Sequence, residues 1–167
     1  LCGGQLVDQT THQIDLVRYL TGEFAELYAK LSRRSIERVD PQATVFDVGT
    51  IAFSLDTGAV GSIYNTCLVP VNGRGEVEIF GRNFYVGIRG ATVRIVDERQ
   101  DVSVTSRTDV YAVQARRFID AVRTGDPGKV LCSYSDGLKT LAVTLAAGQS
   151  AQLGRPVRLS EDKFRFH

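Results

Sequence analysis

The turn sequence Asp56-Thr57-Gly58 constrains the fold more than any other feature, because segments with strand character lie on both sides of it. The first segment runs from about Thr44 to Leu55, and the second runs from Ala59 to about Leu68. A glycine-containing turn between two such segments predicts a β-hairpin. The chain is therefore expected to build an antiparallel sheet around this hairpin.

Further strands are predicted on both sides of the hairpin. Before it, Leu27, Ala29 and Leu31 alternate with more polar residues, which is the period of a half-buried strand. After a break at residues 70–73, tight turns separate three shorter predicted strands: Glu76–Phe80, Phe84–Ile88 and Thr92–Val96. A short edge strand is predicted over residues 157–159.

Helical periodicity marks the two ends of the chain. The first helix is predicted from about Gln5 to Leu20, with Gly22 suited to its C-terminal cap. A second helix is predicted from the repeat of Tyr111, Ala115, Phe118, Ile119 and Val122. Residues 124–127 end it.

Ser135 and Asp136 are expected to cap a final helix that continues to about Leu153. Its predicted buried stripe consists of Leu138, Leu141, Ala142 and Leu145. The order of elements gives an α+β fold, with an open, largely antiparallel sheet of about six strands, one N-terminal helix and two C-terminal helices. Residues 1–167 are expected to form a single domain.

Composition excludes several classes of function. Of the 167 residues, 43% are hydrophobic and 23% are charged. The net charge of +1 does not indicate binding to nucleic acid. No apolar run approaches the roughly 18 residues that cross a bilayer. The three cysteines form no C-x-x-C pair, which argues against a disulfide framework or zinc knuckle. The sequence thus predicts a cytoplasmic protein with buried or half-buried cysteines.

The glycines do not form a nucleotide-binding motif. Gly73-Arg74-Gly75 precedes a strand, whereas phosphate binding requires the glycines between a strand and a helix. Neither a G-x-G-x-x-G sequence nor a Walker loop is present, and G-x-S-x-G and H-E-x-x-H are absent as well. This chain by itself is not expected to bind a dinucleotide.

Asp8 and His12 are the residues most suited to chemistry. At about 100° per residue, a helix places Asp8, His12, Asp15 and Tyr19 on one face. In one interpretation Asp8 is a cap or dipole partner of the helix. In a second, Asp8 orients His12, and His12 exchanges a proton with a substrate. A third, a metal site built from Asp8, His12 and Asp15, lacks a second His or Cys cluster.

Segments spread along the chain are similar to one known family. The run from Gly3 to Gly22 resembles the opening helix of the C-terminal domain of the Gfo/Idh/MocA oxidoreductases. Residues 53–63 resemble the central hairpin of that domain, and residues 118–125 with 136–138 resemble its closing helices. Residues 150–157 match its end. The resemblance covers nearly the whole chain, in order.

The resemblance implies a substrate-binding and oligomerisation domain. In the family, an N-terminal Rossmann domain holds NAD or NADP, and the D-x-x-x-H pair, here Asp8 and His12, lies near the reacting sugar or cyclitol carbon. His12 and Asp8 are thus the expected catalytic pair, and Asp15 is expected to join them in binding substrate. The Rossmann domain and its E-K-P motif have no counterpart here, so no cofactor or activity is expected of this chain alone. A chain that starts at Leu1 without any Met is consistent with a piece of a longer protein.

Two classes of function remain open. The first is half of an NAD(P)-dependent dehydrogenase acting on a CH–OH group of a sugar, sugar acid or cyclitol. The second is a non-catalytic module for ligand binding and oligomerisation. For both, the apolar content of residues 45–55 predicts a homo-oligomer formed through the sheet face, with no nucleic-acid or membrane partner.

Overall fold

A computed structural model describes residues 4–68 and 75–159. The strands are β1 (Phe24–Ser32), β2 (Val48–Leu55), β3 (Val60–Thr66), β4 (Glu76–Phe80), β5 (Phe84–Arg89), β6 (Thr92–Asp97), β7 (Asp101–Thr105) and β8 (Val157–Arg158). The α-helices are α1 (Thr10–Thr21), α2 (Ile36–Val39), α3 (Val110–Thr124) and α4 (Tyr134–Leu153). A π-helix, Gln5–Gln9, precedes α1, and a 3₁₀ turn spans Pro127–Lys129.

The described residues form two compact units. The first contains residues 4–68 and 132–159, and the second contains residues 75–131. Each unit has its own antiparallel four-stranded sheet, in the order β3-β2-β1-β8 and β4-β5-β6-β7 respectively. The α+β class is confirmed. The expectation of one sheet of about six strands is wrong, because β4 pairs with β5 and the described residues show no pairing between β3 and β4.

The predicted central hairpin is confirmed in the first unit. Strands β2 and β3 pair antiparallel with Ile51 opposite Ile63, and the turn closes where the Leu55 N–H donates to the Ala59 carbonyl at 2.8 Å. The predicted break at residues 70–73 lies outside the described residues. The hairpin therefore forms as its turn residues require, and β3 lies at one edge of the sheet.

The core of the first unit lies between its sheet and the helices α1 and α4. Buried apolar residues come from all three elements and include Leu6, Ile14, Leu27, Ile51 and Val143. The predicted leucine stripe of α4 is wrong, since Leu141 and Leu145 are exposed. The buried face of α4 carries small side chains instead: Thr140, Val143, Thr144, Ala146, Ala147 and Ser150.

Close approach of α4 to β1 explains this choice of small residues. The Ala29 N–H donates to Ser150 Oγ at 3.0 Å, and the Ser150 hydroxyl donates to the Arg155 carbonyl at 2.8 Å. A helix that bonds directly to a strand leaves no space for leucines between them. Ser133 caps α4 by accepting from the Asp136 N–H at 3.1 Å, so the helix begins before the predicted cap at Ser135 and Asp136.

A buried carboxylate organises the connection that follows β1. Asp47 is 2% exposed and accepts the backbone N–H groups of Arg34, Ser35 and Ile36. Burial by itself would raise the pKa of Asp47, but these donors hold that pKa below its ordinary value. The residues before Val48 thus form a hydrogen-bonded loop, and β2 starts later than the predicted Thr44.

The second unit is a meander with one helix. Strand β7 was not predicted, although Val102 and Val104 alternate with polar residues at the period of a strand; all five of its residues are exposed. The predicted helix over residues 111–122 is confirmed as α3, which Asp109 caps by accepting the N–H groups of Tyr111 and Ala112. Gly125 ends the helix in the left-handed conformation, with φ 67°.

The structure bears on the expectations about membrane-spanning segments and about the cysteines. No described helix is long and apolar enough to span a bilayer. Cys67 and Cys132 are exposed free thiols, so the expectation that they are buried or half-buried is wrong. Both lie just outside regular elements, after β3 and before α4, where side chains are less covered. Cys2 lies outside the described residues.

Candidate functional site

The segment that carries Asp8 and His12 begins with a widened helical turn. Residues Gln5–Gln9 form a π-helix in which the Thr10 N–H donates to the Gln5 carbonyl, five residues earlier. Gly4 precedes it with φ 72°, and a Cβ at this residue would lie 2.5 Å from the Cβ of Val45. Only glycine combines this backbone conformation with such close packing. The uniform step of about 100° per residue assumed for a continuous α-helix therefore fails across the first turn.

Thr10 and Asn65 secure the widened turn. Thr10 is 0% exposed, and its hydroxyl donates to the Gln5 carbonyl at 3.1 Å. The same hydroxyl oxygen accepts a hydrogen bond from Asn65 Nδ2 on β3. The turn is thus bonded to the sheet through side chains that the sequence analysis did not single out.

Asp8 and His12 are both exposed on this segment. Asp8 Oδ2 accepts from Gln9 Nε2 at 3.4 Å, and Asp8 makes no helix-capping hydrogen bond. Within the part of the chain that the structure describes, the His12 side chain has no hydrogen-bond partner, so no hydrogen bond joins it to Asp8. Both side chains are accessible from solution. Asp8 does not cap the helix through a hydrogen bond, but it lies in the first turn, where a carboxylate can still interact with the helix dipole.

Asp15 has a different environment from Asp8. Its Oδ1 accepts from the Thr140 hydroxyl at 2.7 Å and lies 3.7 Å from Arg18 Nη1. Its side chain is 45% exposed. The structure therefore places Asp15 between the α1 surface and a bonded cluster around Arg18.

The Arg18 cluster joins α1, α4 and the start of β1. Arg18 is 8% exposed; its Nε and Nη2 donate to the two Glu23 carboxylate oxygens, both at 2.8 Å. Nη2 also donates to Asp136 Oδ1 at 2.9 Å, and Nη1 donates to Thr140 Oγ1 at 2.6 Å. Such a bidentate arrangement is the strongest form of arginine–carboxylate pairing.

Charge pairing within this cluster shifts several protonation equilibria. Hydrogen bonding to Glu23 raises the pKa of Arg18 above its ordinary value, against the opposing effect of burial. Hydrogen bonding to Arg18 in turn lowers the pKa of Glu23 and the pKa of Asp136. Within α1, Arg18 shares the buried face with Thr10 and Ile14, at intervals of four residues.

One group of possible metal ligands occurs among the described residues. Ligand atoms of Asp15, Cys132 and Asp136 lie within 4.8 Å of one another, and the Cys132 thiol donates to Asp136 Oδ2 at 3.5 Å. Burial, together with this carboxylate, raises the pKa of the Cys132 thiol. The Arg18 guanidinium already supplies the positive charge here, which disfavours a cation. Neither Asp8 nor His12 belongs to such a group in residues 4–68 and 75–159.

The fold provides no dinucleotide site in the described residues. Both sheets are antiparallel, whereas dinucleotide binding uses parallel strands joined by a helix, with a glycine-rich turn between strand and helix. NAD or NADP therefore does not fit residues 4–68 and 75–159. What these residues offer is an exposed carboxylate and an exposed imidazole on one well-anchored segment.

Comparison with known proteins gives a consistent picture. Residues 1–85 match the sequence model of the GFO/IDH/MocA C-terminal domain. Over 170 aligned residues the chain is 30% identical to myo-inositol 2-dehydrogenase from Thermotoga maritima, covering 95% of this chain and 50% of that protein.

Solved structures agree with this match. Aldose-aldose oxidoreductase from Caulobacter crescentus, complexed with glycerol, has a TM-score of 0.77 at 25% identity, covering 94% of this chain and 48% of that one. The WlbA dehydrogenase from Bordetella pertussis, in complex with NADH and UDP-GlcNAcA, has a TM-score of 0.71 at 26% identity, covering 95% and 46% respectively. The chain spans about half the length of the relatives it matches.

Proposed function

Because the chain belongs to the GFO/IDH/MocA family, through the C-terminal domain of that family, we propose that it is the substrate-binding and oligomerisation part of an NAD(P)-dependent oxidoreductase. The reaction proposed for the full-length protein is oxidation or reduction at a CH–OH group of a sugar, sugar acid or cyclitol. The observation that carries the proposal is the exposed, mutually unbonded pair of Asp8 and His12 on the segment that matches the family.

Support for the substrate class comes from the relatives. One is named for myo-inositol, another binds glycerol and a third binds a nucleotide-linked sugar derivative. All of these ligands carry several hydroxyl groups. Recognition of such ligands needs acceptors and donors that are not already engaged, and Asp8 and His12 meet that need in this chain.

In the proposed reaction, His12 handles the proton of the reacting hydroxyl. An imidazole changes protonation near neutral pH and can accept that proton during oxidation and return it during reduction. Asp8 accepts hydrogen bonds from substrate hydroxyls. Asp15 contributes the carboxylate oxygen that Thr140 does not bond.

NAD or NADP is assigned to the full-length protein and is held outside residues 4–68 and 75–159, where no site fits it. We also propose that residues 1–167, although they contain two compact units, act as one functional domain beside a Rossmann domain. Since Cys67 and Cys132 are free thiols, we assign the protein to the cytoplasm.

We also propose a homo-oligomer formed through the outer face of the first sheet. Ile51, Phe53 and Leu55 share the face that packs on the helices, so they do not provide this surface. The opposite face carries Val60 and Tyr64, which are 82% and 84% exposed. Exposed apolar side chains of this size on a sheet face favour association. A monomer in light scattering at micromolar concentration would contradict the proposed oligomer.

The decisive test of the catalytic role is His12→Asn in the full-length protein. Positioned acid–base groups contribute about 10²–10⁴ to rate, so turnover with inositols, aldoses and sugar acids should fall by that factor. The measurement is NAD(P)H absorbance under saturating cofactor. His167→Asn is the matched control, because the chain has 2 histidines, and it should leave turnover unchanged.

The result also separates the two classes of function. A loss below tenfold for His12→Asn removes His12 from the chemistry. If the full-length protein reduces no NAD(P)⁺ with any of these substrates, and its sequence lacks G-x-G-x-x-G and E-K-P, the non-catalytic ligand-binding module is the better description.

A further inference from the structure

We propose that Asn65 is a positioning residue for Asp8 and His12: through Thr10 it holds the π-helical turn that sets where Asp8 stands relative to His12. The inference rests on the proposed function for its catalytic consequence. Its structural part concerns the turn alone and can be measured without any reaction.

The conformation of the turn decides the relative placement of the two side chains. In a continuous α-helix, the Thr10 N–H would donate to the Leu6 carbonyl, and the residues before Thr10 would turn by about one residue step of 100° relative to His12. In the structure the Thr10 N–H and the Thr10 hydroxyl both donate to Gln5, one residue further back. A π-helical turn is rare because an ordinary α-helix is normally more stable. Another interaction must therefore favour the π-helical turn in this segment.

Asn65 supplies a bond that favours the widened turn. Since the Thr10 hydroxyl proton goes to the Gln5 carbonyl, the Thr10 oxygen is an acceptor, and Asn65 Nδ2 donates to it. The chain of bonds runs from β3 through Thr10 to Gln5, and every member has a fixed direction. A shift of Thr10 toward an α-helical bond would break this chain.

The surroundings of Asn65 indicate that the amide serves the hydrogen bond that Nδ2 donates to the Thr10 hydroxyl oxygen. The other amide atom, Asn65 Oδ1, is buried and has no hydrogen-bond partner in the described part of the chain. A buried acceptor without a partner destabilises a fold, so stability by itself would favour an apolar residue. Gly49 lies opposite Asn65 on β2, and a Cβ there would lie 2.4 Å from Leu31 Cδ2 and 2.9 Å from Oδ1, so the glycine leaves room for both side chains.

Asn65→Leu tests the structural part in the 167-residue chain. Leucine has a similar size but lacks both the donor and the orphan acceptor. The Thr10 amide should exchange its hydrogen at least about tenfold faster relative to the Ile14 amide, which lies in the regular part of α1. The global unfolding midpoint in urea should stay the same or rise, because the orphan acceptor is gone. Ser103→Ala, an exposed change on a strand of the other sheet, is the control and should alter neither quantity.

Thr10→Val tests the same hydrogen bonds without changing Asn65. It removes the hydroxyl and should reproduce the faster exchange, whereas Thr10→Ser keeps the hydroxyl and should restore the wild-type rate. Unchanged exchange in both Asn65→Leu and Thr10→Val would overturn the inference. Equal acceleration at Thr10 and Ile14, with a lower unfolding midpoint, would make Asn65 a residue of general stability and also overturn it.

Activity in the full-length protein separates this inference from the proposed function. Misplacement of a catalytic group costs roughly 10–100-fold, so Asn65→Leu should lower kcat by that factor with a smaller change in KM. If His12→Asn leaves turnover intact, the proposed catalytic role of His12 fails, while exchange at Thr10 still decides the structural part. If His12→Asn abolishes turnover and Asn65→Leu changes neither kcat nor exchange, only the positioning role fails.

Discussion

At its carboxyl end, α1 holds Arg18 almost fully buried, bonded to Glu23, Asp136 and Thr140. At the opposite end of the same segment, Asp8 and His12 are exposed, and His12 lacks any partner among the residues that the structure describes. Both ends are rich in polar groups. They differ in whether the fold has already satisfied those groups.

This difference separates polar residues that the fold uses from polar residues that the proposed reaction can use. A buried arginine without its carboxylates would cost several kcal/mol, so the sequence around it is fixed by folding. An exposed histidine without partners contributes little to folding, so the proposed role of His12 in the reaction makes no conflicting demand on stability. The two ends should therefore respond oppositely to substitution: one in stability, the other in activity.

The largest expected effect on stability follows from Arg18→Met. Methionine keeps the packing of the aliphatic stem but leaves Glu23 and Asp136 without their cation. Because these carboxylates are 42% and 44% exposed, water replaces part of the lost interaction. The free energy of unfolding should fall by about 2–3 kcal/mol, measured by urea denaturation of the 167-residue chain.

His12→Asn is the matched comparison for that measurement. Its exposed side chain predicts a change within about 0.5 kcal/mol in unfolding free energy. If His12→Asn destabilised the chain as much as Arg18→Met, the histidine would belong to the fold and the contrast between the two ends would disappear.

The same variants make a sharper prediction about pH. Arg18 lowers the pKa of Glu23 and the pKa of Asp136 in the folded state. A lowered folded-state pKa contributes stability above the unfolded value, near 4, and that contribution is lost as pH falls through the folded value. The stability gap between wild type and Arg18→Met should therefore be widest above about pH 5 and should narrow below about pH 4. A gap that stays constant from pH 7 to pH 3 would mean that packing, and not charge, explains the role of Arg18.

Local sequence patterns predicted those parts of the fold whose conformation depends on residues close together in the chain. The Asp56-Thr57-Gly58 turn, Gly22 and the stop at residues 124–127 mark ends that the structure confirms. Long-range packing decided the rest. The leucines of α4 looked like its buried stripe, but direct bonding of Ser150 to β1 brings the helix too close for them. The division into two sheets also depends on which strands pair, and periodicity carries no information on that.

The candidate site was predictable only in part, for a related reason. A regular helical period grouped Asp8 with His12, and the same family resemblance pointed to them. No local pattern reveals a π-helical turn, because it depends on Thr10 and on Asn65, which lies on a strand more than 50 residues further along the chain. The Arg18 cluster likewise joins α1 to Asp136, 118 residues away.

The smallest predicted effect concerns the start of α4, which carries Asp136 to Arg18. Ser133 caps this helix through the Asp136 N–H, whereas Ser135 only shares a 2.9 Å hydroxyl contact with Ser133. Loss of a serine cap costs typically about 1 kcal/mol, so Ser133→Ala should lower the unfolding free energy by that amount in urea. Ser135→Ala, the predicted cap position, should change it by less than about 0.5 kcal/mol. If Ser135→Ala lowered the unfolding free energy more than Ser133→Ala, Ser135 would be the cap and α4 would begin there. Because the cap holds the helix turn that presents Asp136, adding Ser133→Ala to Arg18→Met should cost less than the sum of the two single changes.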